Sequence, residues 1–177
     1  GRETALHYAR RGARLTLAAR SEAPLQTVAD ECRRAGAQDV AVHLADIAVA
    51  EQVQELFDTT VAGFGRVDIA VQSAAVTVFG RFEDIPVDVF DGVVMTNLLG
   101  AANVARAALS HFRAREAGHL VLVGSLLGTM AAPYQSPYVL SKFAIGALVR
   151  VLRQENGHLP DVRIPGIYPG PVSTPVY

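Results

Sequence analysis

Four side chains in this 177-residue sequence combine chemical capability with a spacing that makes it usable. In Tyr138-Val139-Leu140-Ser141-Lys142 a phenol and an ammonium stand four residues apart, which on a helix puts them on one face, a turn apart. A cation beside a phenol favours the phenolate and brings a weak acid toward the range of a general acid–base. Of sixteen basic residues Lys142 is the only lysine, so a slim point charge stands here where the chain otherwise uses the planar guanidinium of Arg. Ser125 follows the apolar run 120–123 and Gly124. It is either an ordinary turn residue or a hydroxyl displayed at a strand end, where with a phenol it could polarise a carbonyl oxygen and pass it a proton. Asn97 lies mid-helix in an apolar stretch, where its propensity is poor. It is either buried and in need of hydrogen-bond partners or a polar residue at a kink near Gly100.

The elements that position these residues alternate between strand and helix. Helices are predicted over 2–11, 24–35, 49–64, 87–114 and 138–155, and strands over 14–19, 40–44, 67–71, 120–123 and 162–168, with Gly12 and Gly36 as helix stops and Pro24 at a first turn. The strands are short, apolar and barely alternating, as strands covered on both faces by helices are. Repeated β–α units of this kind predict one α/β domain, a doubly wound parallel sheet with right-handed crossovers. In such a sheet ligands bind beyond the carboxyl ends of the strands. The residues to inspect are therefore Arg20, Asp46, Ser73 to Ala75, Ser125 and the segment from Pro169 to Thr174.

Composition narrows the function classes. Half the residues are hydrophobic and mean hydropathy is +0.25, which excludes a disordered chain. Sixteen basic against seventeen acidic residues give a net charge of -1, which argues against nucleic-acid or anionic-membrane binding. No uninterrupted apolar run approaches a membrane span, and no signal peptide is visible. The single cysteine, Cys32, suits a reducing, cytoplasmic setting and reads as a small helix residue. None of the five His has metal-ligand spacing, so no metal site is expected.

Ser125, Tyr138 thirteen residues on, Lys142, Asn97 in an N-x-x-G context, and Pro169-Gly170-Pro171-Val172-Ser173-Thr174 together resemble the short-chain dehydrogenase/reductase family of the single-domain, Rossmann-like type. The resemblance covers the whole chain in order. It implies that Tyr138 is the acid–base, that Lys142 binds the nicotinamide ribose and lowers the Tyr138 pKa, that Ser125 holds the substrate oxygen, and that Asn97 fixes a relay water. It further implies cofactor contacts from Gly1, Arg20, Ser21, Asp46, Ile47, Ser73, Ala74, Ala75, Tyr138, Lys142, Pro169, Gly170, Val172 and Thr174. Val172 and Thr174 would meet the carboxamide.

Ala19 stands where relatives that use NAD carry an acidic residue, and Arg20 follows it. A guanidinium suits a 2′-phosphate, so NADP(H) is the preferred cofactor and NAD(H) the other possibility; a solvated Arg at a strand end is the plainer reading. Asp46 resembles the adenine-contacting Asp, or else an early helix cap.

The family's first strand and glycine loop would precede Gly1, and a substrate loop, helix and strand would follow Tyr177. Gln72-Ser73-Ala74-Ala75 departs from the family's N-N-A-G, and Pro165 removes a ladder donor from the last strand. Met130, Ala131, Ala132, Pro133 and Tyr134 are expected to line a pocket wall for a small apolar carbonyl or alcohol substrate. Apolar helix faces over 89–109 and 139–152 suggest a homodimer or homotetramer. The competing readings are a non-catalytic cofactor-binding regulator and an epimerase or dehydratase on the same scaffold.

Overall fold

Short apolar runs alternate with helices throughout the computed structural model, which describes residues 1–171. Val172 and Thr174, named above, lie outside the described residues. The chain divides into two units, Gly1–Val67 and the residues from Asp68 on.

The first unit comprises α1 (Arg2–Ala9), β1 (Arg14–Ala19), α2 (Glu22–Arg34), β2 (Asp39–Leu44) and α3 (Ala50–Phe64). β1 and β2 pair in parallel from Arg14 opposite Asp39 to Ala19 opposite Leu44. Ala5, Leu6, Ala9, Ala29, Cys32 and Val40 form the core, with Leu15, Leu17 and Val42 packed against them. Small residues at the helix contacts let α1 and α2 approach the strands closely.

The second unit comprises β3 (Ile69–Gln72), α4 (Val87–Val94), α5 (Gly100–Arg115), β4 (Gly118–Val123), α6 (Ser136–Glu155), β5 (Val162–Arg163) and β6 (Gly166–Ile167). β4 is central: it pairs in parallel with β3 on one edge and with β5 and β6 on the other. Leu120 and Leu122 of β4, Phe112 of α5 and Ile145 and Val149 of α6 are all fully or almost fully buried.

The expected parallel α/β pattern is present: the strands pair as β1–β2 in the first unit and as β3–β4–β5/β6 in the second, and no strand among the described residues pairs with both β1 and β3. One expectation is corrected. The last strand is two short pieces, because Pro165 has no N–H to give; its carbonyl still accepts from the Leu122 amide at 3.1 Å. No uninterrupted apolar run of membrane length is present, but the continuous helical stretch Val87–Arg115, which contains Asp88, Asp91 and Arg106, is long and apolar enough to cross a membrane by length and composition alone, and half of its most apolar window is buried inside the protein. Its apolarity is used against β3, β4 and α6.

The long helix is not uniform. Between α4 and α5, Met95–Leu99 forms a π-helical turn with the buried Asn97 at its centre. An inserted turn of this kind relieves a helix that cannot otherwise bring a side chain to its partner.

Gly118 opens β4 at φ 154, and a β-carbon there would fall 2.1 Å from the fully buried Phe112 ring. Gly118→Ala is expected to destabilise the second unit by about 1–3 kcal/mol. Urea unfolding followed by far-UV circular dichroism measures it; an unchanged midpoint would contradict this packing.

Candidate active site

The carboxyl end of β4 organises the site. Val123 ends that strand, and its carbonyl accepts a hydrogen bond from Lys142 Nζ at 2.9 Å. Lys142 lies on α6, whose Pro137 stands in the first turn, so Tyr138 and Lys142 occupy successive turns on one side of the helix. Nζ lies 5.5 Å from the centre of the Tyr138 ring. The Lys142 side chain is almost fully buried, and desolvation pushes its ammonium down to about 8 from an ordinary 10.5. Among the described residues one of its three protons goes to Val123, which leaves two for a ligand.

Ser125 stands two residues past Val123 in extended backbone, and its Oγ accepts from the Leu127 amide at 3.1 Å. That bond uses an oxygen lone pair and leaves the hydroxyl proton to donate. The following turn, Leu126–Gly128, lies directly on α6: a β-carbon on Gly128 would come within 2.6 Å of the Lys142 carbonyl. Ser125, Tyr138 and Lys142 are thus brought to one strand end.

Asn97 reaches the same neighbourhood by another route. Its Oδ1 accepts from the Val76 amide at 2.8 Å, and its Nδ2 donates to the Val76 carbonyl at 2.9 Å and to Ser141 Oγ at 3.1 Å. Ser141 Oγ in turn donates to the Tyr138 carbonyl at 2.7 Å. Both amide hydrogens are therefore spent inside the protein, and the side chain could hold a water only as an acceptor. Ser141 and Val76 were missed as partners from sequence; a buried Asn at 1% exposure requires three such partners, but nothing in its spacing says which.

The post-strand segments are tied together. Gly80 N donates to the Tyr134 carbonyl at 2.9 Å, Gly124 N to Ile167 at 2.7 Å and Leu126 N to Pro169 at 3.0 Å. Pro169 thus borders the Ser125 turn, and a β-carbon on Gly170 would fall 3.3 Å from the Leu126 side chain. Ser73, Ala74 and Ala75 follow β3, where the buried Gln72 donates to the Ala74 carbonyl at 2.8 Å and orders the segment that departs from N-N-A-G.

The remaining residues singled out from sequence lie in the first unit. Gly1 is the N-cap of α1. Arg20 and Ser21 follow β1, and Ser21 caps α2 without a side-chain bond. Asp46 and Ile47 follow β2; Asp46 Oδ1 accepts from the Ala48 amide at 2.9 Å, a turn-forming bond, and Oδ2 sits 3.9 Å from the Arg20 guanidinium. The two strand ends thus bring Arg20 and Asp46 together, with Arg20 well exposed.

Parallel β–α units with a Ser, Tyr, Lys and Asn gathered around one strand end describe a protein of the dinucleotide-binding dehydrogenase type. The family model described as "short chain dehydrogenase" matches residues 1–177, and the chain belongs to that family, with a Rossmann-like α/β fold. It is 36% identical over 177 residues to an 11-beta-hydroxysteroid dehydrogenase A of Arachis hypogaea, covering 99% of this chain and 50% of that one. A sepiapterin reductase of Chlorobaculum tepidum is 32% identical, with 100% and 75% covered. Among solved structures, levodione reductase superposes with a TM-score of 0.95 at 29% identity, covering 99% of this chain and 69% of that one. An alcohol dehydrogenase from Thermococcus sibiricus complexed with 5-hydroxy-NADP does so with a TM-score of 0.88 at 33% identity, covering 98% and 73%. The chain spans 50–56% of the length of the hydroxysteroid dehydrogenase relatives from Arachis and Arabidopsis that it matches. Within the second unit the donor set fits the ribose of a nicotinamide nucleotide, because a buried ammonium with protons still to give suits a ribose diol.

Burial of Lys142 links stability to pH with a definite sign. Above about pH 10.5 the amine is neutral in both folded and unfolded chains. Between 10.5 and about 8 the unfolded chain takes up a proton that the folded chain does not, so stability falls as pH falls, and below 8 the loss is constant. Wild-type protein should lose on the order of 3 kcal/mol from pH 10.5 to 8 relative to Lys142→Met. Urea unfolding across that range checks this, and a pH-independent difference between the two proteins would refute it.

Proposed function

We propose that the protein is an oxidoreductase interconverting a carbonyl and a secondary alcohol, with NADP(H) as preferred cofactor. The observation that carries this reading is the buried Lys142 ammonium, anchored on the Val123 carbonyl beside the Tyr138 ring at the strand end that also bears Ser125. Family membership supports it, as do the relatives' names, which are those of dehydrogenases and reductases.

In this reading Ser125 donates its free hydroxyl proton to the substrate oxygen and holds it beside Tyr138. Tyr138 Oη gives a proton to that oxygen in reduction and takes it back in oxidation. The bound nicotinamide supplies the hydride that the substrate carbon gains, or accepts the one it loses. Lys142 holds the ribose through its two remaining protons and favours the Tyr138 phenolate by its charge. Asn97 acts through position: its bonds to Val76 and Ser141 hold the segment after β3 and α6 in register, and any relay water it binds is held by an acceptor oxygen. Pro169, Gly170, Val172 and Thr174 are assigned to the nicotinamide, Ser73 to Ala75 and Gly1 to the rest of the cofactor by its backbone, and Asp46 and Ile47 to the adenine.

The NADP(H) preference rests on Arg20. Its 3.9 Å pairing with Asp46 is loose and exposed, so the guanidinium can turn to a 2′-phosphate at little cost. Both cofactor types occur among similar structures: one carries 5-hydroxy-NADP, and a xylitol dehydrogenase carries NAD+. The reading includes a homodimer or homotetramer, supported by Met95, Leu99, Leu140, Phe143 and Val151 being exposed on the long helix and α6. It also includes a cytoplasmic setting, supported by the free, buried Cys32.

Protein mixed with NADPH or NADH and a panel of ketones, followed by absorbance of the reduced cofactor, tests the reading. Tyr138→Phe should lower kcat by about a thousandfold while cofactor binding is kept. Arg20→Ala should raise the NADPH KM about tenfold and leave that for NADH within about twofold. Cofactor binding with no turnover of any ketone would favour the regulatory reading instead.

A further inference from the structure

Three glycines of the second unit stand where glycine is a poor choice. Gly166 opens β6, Gly124 follows β4, and Gly146 lies in the middle of α6. None has a positive φ, so backbone conformation calls for glycine at none of them. A neighbouring side chain does. A β-carbon on Gly124 would fall 2.6 Å from the Tyr168 ring, and one on Gly166 would fall 2.7 Å from its Oη and 3.0 Å from the ring. A β-carbon on Gly146 would lie 3.9 Å from the same ring and from Oη, an ordinary contact. The Tyr168 ring therefore takes the space of side chains at 124 and 166, on the face of the sheet that α6 covers.

The backbone beneath the ring carries the site. Leu122 N donates to Pro165 at 3.1 Å, Gly124 N to Ile167 at 2.7 Å and Leu126 N to Pro169 at 3.0 Å. This parallel ladder continues the β4–β6 pairing past both strand ends, puts Gly124 opposite Tyr168, and holds Ser125 next in line. The ring lies against Gly124, whose peptide link to Val123 bears the carbonyl that accepts from Lys142 Nζ at 2.9 Å. Gly146 is one turn beyond Lys142 on the same side of α6. One rigid ring thus stands between the lysine's anchor on the strand and the lysine's own helix. An unfilled gap of that size would let the strand end and the helix close on each other or admit water.

Few titratable groups face Lys142 from the elements packed on α6. Its own helix offers the Tyr138 ring; β4 offers only the exposed His119 at its far end, and α4 the exposed Asp88 and Asp91. The turns Leu126–Gly128 and Met95–Leu99 offer none. Burial alone weakens the ammonium's hold on its proton, so that hold reports how well the seam is closed.

We propose that Tyr168 is a positioning residue for the reaction: its ring, seated over Gly124, Gly146 and Gly166, spaces the end of β4 from α6 and so holds the Val123 carbonyl and Ser125 where Lys142 and Tyr138 use them. This deepens the oxidoreductase reading and rests on it for the reaction; the placement of Lys142 is read without turnover.

Lys142 is the only lysine in the chain, so protein grown with lysine carrying carbon-13 at Cε gives a single NMR signal that titrates with the buried ammonium. In the wild type its midpoint should lie near 8. In Tyr168→Ala water reaches the strand end, and the midpoint should rise by about one pH unit toward 10.5. The kcat for ketones should fall about tenfold with the ketone KM within about twofold, and Tyr168→Phe, which keeps the ring, should recover both midpoint and kcat. Gly124→Ala pushes the ring from its seat without removing it and should also raise the midpoint, which keeps the test open if Tyr168→Ala does not fold. A wild-type midpoint near 10.5, an unmoved midpoint in folded Tyr168→Ala or Gly124→Ala, an equal shift in Tyr168→Phe, or a shifted midpoint with unchanged kcat would overturn the assignment. A midpoint that depends on the ring, with no ketone turned over by the wild type, would uphold the placement and overturn the oxidoreductase reading instead.

Discussion

An ammonium group taken out of water is a costly thing to hold, and the second unit is arranged around holding one. Lys142 gives one proton to the Val123 carbonyl, and that bond fixes the end of β4 to the second turn of α6. Burial weakens the ammonium's hold on its proton, down to about 8, yet the strand carbonyl and the neighbouring Tyr138 ring offer it partial compensation. The Leu126–Gly128 turn can lie flat on α6 only because Gly128 has no side chain to meet the Lys142 carbonyl. The position of Ser125 follows from the same contact, since its hydroxyl is set by the bond to Leu127 in that turn. Lysine suits this place better than arginine. Its compact head needs one acceptor to be held and leaves the other protons directed elsewhere, whereas a guanidinium would demand a planar set of partners.

A second constraint acts on the long helix. Asn97 must satisfy an amide at almost zero exposure, and it does so by pairing with both backbone groups of Val76 as a neighbouring strand would. Its third bond, to Ser141, ties the helix to α6 through the Tyr138 carbonyl. A regular helix running from Val87 to Arg115 with fixed apolar faces would not meet all three demands at one position, and the π turn at Met95–Leu99 is the local adjustment. The same helix explains why apolarity alone misleads: Ala101, Val104, Ala105, Ala108 and Phe112 are buried within this unit.

Much of this was legible in the residues because local chemistry and tertiary role coincide. β1 falls at 14–19 as its apolar run implies, and the helix bearing Tyr138 and Lys142 begins within two residues of its expected start. Spacing of four on a helix is a geometric statement, so the placement of the phenol near the ammonium needed only the helix to form. Other features depend on partners remote in sequence. Nothing near Lys142 announces Val123 as its acceptor, nineteen residues away, and nothing near Asn97 announces Ser141, forty-four away. The break at Pro165 was visible as a missing donor, but not that its own carbonyl would accept from Leu122 and keep the pairing to β4 on both sides of it. The left-handed Tyr134 was invisible, since a Pro-Tyr-Gln turn carries no residue that prefers that conformation.

The two units distribute charge differently, and the difference bears on which properties can drift. In the first unit the Arg20–Asp46 pair is exposed and loose, with a separation of 3.9 Å. Solvent and salt screen such a pair, so substitution there changes little except what the guanidinium recognises. In the second unit Lys142, Asn97, Ser125 and Ser141 are all buried and bonded, and removal of any one strands a partner in a low-dielectric setting. In the proposed reading, cofactor preference is assigned to exposed charge and can therefore change by single substitutions without disturbing the fold. The proposed acid–base set cannot, because the same hydrogen bonds that orient it also join β4 to α6.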